Sequence, residues 1–254
     1  MDFTDKYIDV KIGNIPLIFS VPHGGTLDCK VIPNRKMGVV GVDKNTVELT
    51  MGIINEIKHH RNSKINSKMN PSYIISKIQR KKIDFNRAEI KAFSKNSKKA
   101  HQLYQYYHRS IEDLILMNLN QFNSSLLIDI HGFEQKNIPN GYRQVDIVLG
   151  TNNLKTLYPY KIPKRKYDKN IRGNLIKEFL REDFQIAPGH PKRKEYVLKG
   201  GYITKKYGAS RFHNSSQTIQ IEFSDKVRMK DISLKRKVIK VIAQIFSKFI
   251  KVNI

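Results

Sequence analysis

The 254-residue sequence has no tryptophan, one cysteine and few acidic residues for its many basic ones. The lone cysteine, Cys29, excludes an intramolecular disulfide framework and points to a reducing, cytoplasmic setting. Its neighbours give no reason for a lowered thiol pKa and resemble neither a caspase nor a papain motif, so Cys29 reads as a small loop residue. No run of about 18 apolar residues occurs, and MDFTDKYIDV lacks a basic flank followed by an apolar stretch, so neither a membrane span nor a secretory leader is expected. With 22 Asp and Glu against 47 Lys and Arg, the net charge is +25, which suggests anionic partners. The basic residues are mostly Lys, spread along nearly the whole chain. Zinc-finger spacing, an RNA-recognition aromatic signature and an Arg-rich arm are all missing. Specific nucleic-acid recognition is therefore not expected, whereas loose, salt-sensitive, non-specific nucleic-acid binding fits the charge.

What is present is a globular pattern, with 39% hydrophobic and 9% aromatic residues in a length that suits one α/β domain spanning 1–254. Periodicity predicts strands at 7–12 and 15–21, turned at Gly13-Asn14 as a hairpin. Asp43 is placed to cap a helix carrying Val47, Met51, Ile54 and Ile57 and ending near His59-His60, a solvated helix end. Further strands are expected at 72–78, 126–130, 144–149 and 218–223. Helices are expected at about 94–120, with Leu103, Tyr107, Ile111, Leu114 and Met117 on one stripe, at 171–182, and at the carboxyl end on Leu234, Val238, Val241, Ile242, Ile245 and Phe249. The segment 151–169, with Lys164-Arg165-Lys166, reads as a loop forming a lid or an insertion. The alternation of strands and helices predicts a mixed twisted sheet flanked by helices.

Two histidines sit just past strand-like runs, His23 after IPLIFSV and His131 after LLIDI. Ligands gather beyond the carboxyl ends of buried strands, so the two imidazoles could share one metal ion; taken singly, each reads as a core or turn histidine. Strand alternation turns Asp129 and His131 to one side, and likewise Gln220 and Glu222. A carboxylate within IQIEFS must be paired, protonated or set beside a cation, and either a metal site or a core Lys or Arg would supply the reason. Asp84-Phe85-Asn86-Arg87, with Asp84 and Asn86 on one face and Arg80 upstream, suits an anionic substrate and a developing oxyanion; a turn with a surface arginine is the plainer alternative.

In order, SVPHGG at 20–25, IPNR at 32–35, Asp43 with Thr46 and Leu49, Arg80 with Asp84-Phe85-Asn86-Arg87, DIHG at 129–132, GGYI at 200–203 and QIE at 220–222 resemble the N-formylglutamate amidohydrolase family. That family is similar in fold to the zinc carboxypeptidases and aspartoacylases, and the resemblance covers about residues 15–230. It implies a Zn2+ ion held by His23 and His131, with Glu222 as general acid/base and Arg80 polarising the scissile carbonyl. Asn86 and Arg87 would grip the substrate carboxylate and Tyr202 would close over the substrate, or simply pack beside the two glycines. Carboxypeptidases take a glutamate three residues after the first histidine as a ligand; Gly24-Gly25-Thr26 offers none, and Asp43 is assigned instead. Asp129 would either orient His131 or reach the metal itself. The implied activity is amide cleavage in an N-acyl amino acid, N-formyl compounds among them, or in a small peptide. A carboxypeptidase-like enzyme and a basic polyanion-binding protein that keeps the fold without turnover are the alternatives.

Overall fold

Branched apolar residues build the centre of the sheet. LIFSV at 17–21 is buried throughout, and SLLIDIHGF at 125–133 and SQTIQIEFS at 216–224 nearly so, as strands covered on both faces must be. The computed structural model describes residues 2–59, 61, 62, 67–138, 140–196 and 198–253. In chain order the elements are α1 (Phe3–Tyr7), β1 (Ile8–Lys11), β2 (Leu17–Val21), α2 (Thr46–His59), β3 (Arg61–Asn62), β4 (Ser67–Lys68), β5 (Ser72–Ser76), α3 (Glu89–Ala92) and α4 (Lys98–Phe122). There follow β6 (Ser125–Phe133), β7 (Ile147–Gly150), α5 (Ile171–Arg181), β8 (Ile186–Ala187), α6 (Tyr202–Tyr207), β9 (Ser216–Ser224) and α7 (Ile232–Asn253).

Seven strands form one sheet in the order β1-β5-β2-β6-β9-β7-β8. β5, β2, β6 and β9 run parallel; β1 is antiparallel to β5, and β7, with β8 parallel to it, is antiparallel to β9. The expected mixed sheet between helices is therefore what the chain forms. Alternation along each strand divides the core. Phe19, Ile128 and Ile221 pack with α2, α5 and α7 on one face, while Ile18, Ile74 and Leu127 pack with α4 and α6 on the other. Asp129, His131, Gln220 and Glu222 share the parity of Leu127 and so belong to the α4–α6 face.

Several expectations need correction. The 7–12 and 15–21 strands are not a hairpin, because β5 lies between them, antiparallel to β1 and parallel to β2. The backbone at Asn14 bonds instead to Asn70, and the fully buried β2 gains a neighbour on each side. Asp43 does not cap α2 with its carboxylate, which turns away to the two histidines. Residues 151–169 are not a lid: Leu154, Leu157 and Ile162 are buried in the core beside α5. On α4, Ser97 accepts from the Ala100 amide and sets the start later than expected, and Met117 is exposed while Asn118 is buried. A short helix, α6, follows the Gly200-Gly201 interruption. His59 is exposed at its helix end, and His60 lies outside the described residues.

Candidate metal centre

β2, β6 and β9 are adjacent, and their carboxyl ends deliver the candidate residues. His23 follows β2 by two residues; His131 lies within the last residues of β6 rather than past it, in register with Glu222 of β9. The loop before α2 adds Asp43, whose amide donates to the His23 carbonyl (3.0 Å) and whose own carbonyl accepts from the Thr46 hydroxyl (2.7 Å). Gly24 permits this approach, since a Cβ there would meet Thr46 Oγ1 at 2.7 Å and Val47 at 2.6 Å.

The three side chains converge on one point. Nδ1 of His23 and Nδ1 of His131 are 3.1 Å apart, and Oδ2 of Asp43 lies 3.5 and 3.4 Å from them. All three residues are buried. Each imidazole turns its other nitrogen to a carboxylate: His23 Nε2 to Asp84 Oδ1 at 2.7 Å and His131 Nε2 to Asp129 Oδ2 at 2.9 Å. Such outer carboxylates fix the tautomer with Nε2 protonated, leaving both Nδ1 lone pairs facing each other and an Asp43 oxygen. Three electron-pair donors so close together form a group that could hold a metal ion. Ligands about 2.0–2.1 Å from a tetrahedral zinc stand roughly 3.3–3.4 Å apart, and a set of two imidazoles and one carboxylate suits that ion. The observed edges of 3.1, 3.4 and 3.5 Å fit. Burial by itself would raise the Asp43 pKa; where protons rather than a metal occupy the inner nitrogens, hydrogen bonds from His131 and His23 hold it well below the usual carboxylate range. Burial would lower His131, yet Asp129 and Asp43 carry it well above the ordinary imidazole value. The group thus attracts positive charge.

Asp129 is held in place by Ser20, whose hydroxyl donates to Oδ1 at 2.9 Å, and by Thr204 at 3.3 Å from Oδ2. Of the two roles open to it, the geometry is that of a residue orienting His131. Glu222, beside His131, is buried. Its partner is Gln220, whose Nε2 donates to Oε1 at 2.6 Å, in place of a core Lys or Arg. Burial raises the Glu222 pKa, the nearby His131 opposes, and Asp43 adds to the rise.

Asp84 to Arg87 form an irregular turn rather than a strand face, with the Asn86 amide donating to Asp84 Oδ1 at 3.1 Å. Asp84 is fully buried and gathers arginines: Arg80 Nε at 3.2 Å, Arg87 Nε at 3.1 Å and Arg35 at 3.6 Å. Burial would raise its pKa, but the hydrogen bond from His23 and the arginine charges hold it well below the usual range. Arg80 also reaches Asp43 Oδ1 at 3.4 Å and so stands beside the convergence point. Asn86 Oδ1 accepts from the Ile203 amide at 2.8 Å, and its Nδ2 lies 3.1 Å from His131 Nε2. Gly201 leaves room for this amide, which a Cβ would meet at 2.1 Å. Tyr202, one residue on, begins α6 with its ring edge-on to His108. The roles of Asp84 as the anchor of His23, and of Arg35 against Asp84, escaped the sequence reading. The IPNR and DFNR clusters were visible, but not that they meet.

No protein-family model matches this sequence, and no curated protein matches it. Solved structures do. An N-formylglutamate amidohydrolase from Ralstonia eutropha JMP134 superimposes with a TM-score of 0.70 at 12% identity, over 98% of this chain and 99% of its own. The gene product Atu2144 from Agrobacterium tumefaciens gives 0.58 at 12% identity, over 96% of each chain. A metallo-carboxypeptidase from Pseudomonas aeruginosa gives 0.44 at 12% identity, over 93% of this chain and 58% of its own. At such identities the likeness is one of fold: this chain shares the architecture of the N-formylglutamate amidohydrolase along nearly its whole length.

Proposed function

We propose that the chain is a zinc-dependent amidohydrolase that cleaves the carbon–nitrogen bond of an N-acyl amino acid or small peptide, N-formyl substrates among the candidates. The observation that carries this reading is the convergence of His23 Nδ1, His131 Nδ1 and Asp43 Oδ2 beside a buried glutamate in register with His131. These three residues would hold the ion. When bound, zinc supplies a Lewis acid for the carbonyl and lowers the pKa of water towards ~7.

The chain's own residues supply the rest. Glu222, its pKa raised by burial, takes the proton of the attacking water and passes it to the departing nitrogen. The bond from Gln220 keeps the carboxylate turned along the sheet face. Arg80, already within reach of Asp43, stabilises the negative charge that develops on the carbonyl oxygen. Arg87, half-exposed at the end of its turn, offers a planar fork for a substrate carboxylate, with Asn86 next to it and Tyr202 adjoining the Ile203 amide that Asn86 holds. Asp84 and Asp129 hold the imidazoles by their outer nitrogens.

Metal analysis of the purified protein, followed by hydrolysis of N-formyl and N-acetyl amino acids with and without chelator, tests the reading. Near-stoichiometric zinc and chelator-sensitive amide cleavage are expected. Metal-free protein that neither binds zinc nor loses anything on His131→Ala would overturn it.

A further inference from the structure

The sheet register leads from the candidate site toward a neighbouring cavity, lined by residues other than His131 and Glu222 themselves. His131 on β6 pairs with Glu222 on β9, Glu222 pairs with Val148 on β7, and Val148 pairs with Ala187 on β8. Paired residues point to the same face and neighbouring strands stand about 4.8 Å apart, so Val148 sits one strand beyond Glu222 and two beyond His131. Val148 and Ala187 line a cavity of about 440 Å³, together with Phe133, Val145, Pro188 and Leu198. Phe133 lies two residues past His131 on the same strand. The walls are predominantly apolar, and Tyr142 and Tyr196, both exposed, stand among the lining residues. The volume falls in the range of small-molecule sites, typically about 300–1,000 Å³.

The opposite flank has another character. Arg80, Asn86 and Arg87 follow β5, on the far side of β2 and β6 from β7. A substrate whose carboxylate meets Arg87 and whose scissile carbonyl lies at His131 and Glu222 therefore extends its acyl group toward β7 and β8.

We propose that this cavity receives the acyl group and that the preferred group is large and apolar, a medium-chain aliphatic or aryl acyl rather than formyl. The proposal rests on the amidohydrolase reading. In the reaction, a water oxygen bonds to the acyl carbon as the carbon–nitrogen bond breaks. The amino acid leaves as a free amine carrying the transferred proton, and the acyl group leaves as its carboxylate. A formyl group would leave the apolar walls facing water, whereas each methylene buried there is worth about a fourfold gain in binding.

The test compares N-acetyl, N-hexanoyl and N-benzoyl glutamate. The kcat/KM for hexanoyl is expected to exceed that for acetyl by about 200-fold, from four added methylenes. Val148→Phe, which fills the cavity, is expected to cut that ratio about tenfold or more. Calorimetric binding of hexanoate and acetate to the wild-type protein reads the same preference without a variant, and a hexanoate affinity about 200-fold the higher supports the proposal. Amide cleavage with no chain-length preference, or equal affinity for the two acids, overturns it and leaves the amidohydrolase reading standing. Zinc-loaded protein that cleaves none of the three overturns both.

Discussion

A pair of histidines and a third, separate one are almost equally hidden from water and are chemically opposite. His23 and His131 are 1% and 3% exposed at the ends of adjacent strands, and His108 is 3% exposed on α4. Around the first pair stand Asp43, Asp84 and Asp129, each within 3.5 Å of an imidazole nitrogen. Around His108 stand rings: Tyr104 at 4.3 Å between centroids, Tyr202 at 5.8 Å and Tyr207 at 5.9 Å. Its two nitrogens meet the Tyr207 hydroxyl and the Phe85 carbonyl. Burial pushes His108 down to about 3, with the Lys206 charge adding to the effect, whereas His131 is carried upward by its carboxylates. Burial alone does not make a histidine functional. Carboxylates on the outer nitrogens, with the inner ones turned to each other and to Asp43, distinguish the pair from a packed histidine.

The largest effect expected from breaking that distinction is at the ligands. Asp43→Ala should abolish stoichiometric zinc and with it measurable amide cleavage, while His108→Gln should leave the metal content, read by elemental analysis, unchanged. Glu222→Gln should lower kcat by about 10²–10⁴-fold with zinc still bound, because it removes a proton acceptor rather than a ligand. Asp129→Asn keeps the shape and withdraws the charge behind His131. Zinc affinity, measured by competition with a chromophoric chelator, should fall about 10–100-fold.

The aromatic histidine yields a pH effect instead. Its folded pKa of about 3 lies below the unfolded value of about 6.5, so between those limits the unfolded chain takes up a proton that the native state refuses. Stability due to this residue is therefore whole above about pH 6.5 and declines as the pH falls. At pH 5 the loss amounts to about 2 kcal/mol, which His108→Gln should remove from the difference between urea unfolding curves at pH 7 and pH 5. Equal pH dependence in both proteins would show that His108 titrates normally. The smallest effect concerns the helix that carries it: Ser97→Ala removes the cap of α4 and should cost about 1 kcal/mol of stability without altering zinc affinity.

Much of the sheet was legible because β2 and the start of β6 are continuous apolar runs and β9 alternates apolar with polar residues at strand spacing, and α4, α5 and α7 carry clear helical stripes. Pairing was not legible. β1 and β2 are joined by a turn-like Gly13-Asn14, yet β5 separates them, because a strand buried on both faces gains more from two neighbours than from one hairpin partner. At the candidate site, His23, Asp43, Arg80, His131 and Glu222 were all picked out from the chain, and the structure brings them together. Sequence alone groups Asp84 with Asn86 in a turn or an anion pocket, whereas its place behind His23 depends on a contact spanning 61 residues.

By itself, the sequence determined the types of the longer elements, the parity that sets Asp129 with His131 and Gln220 with Glu222, and the short list of residues able to do chemistry, since all of these follow from local periodicity and side-chain type. Only the tertiary structure decided which nitrogen of each histidine faces inward, that the Asp43 carboxylate turns to the imidazoles rather than to the helix it precedes, and that an apolar cavity lies two strands from His131. Those outcomes depend on distances between groups far apart in the chain, which strand order and register set and no local pattern encodes.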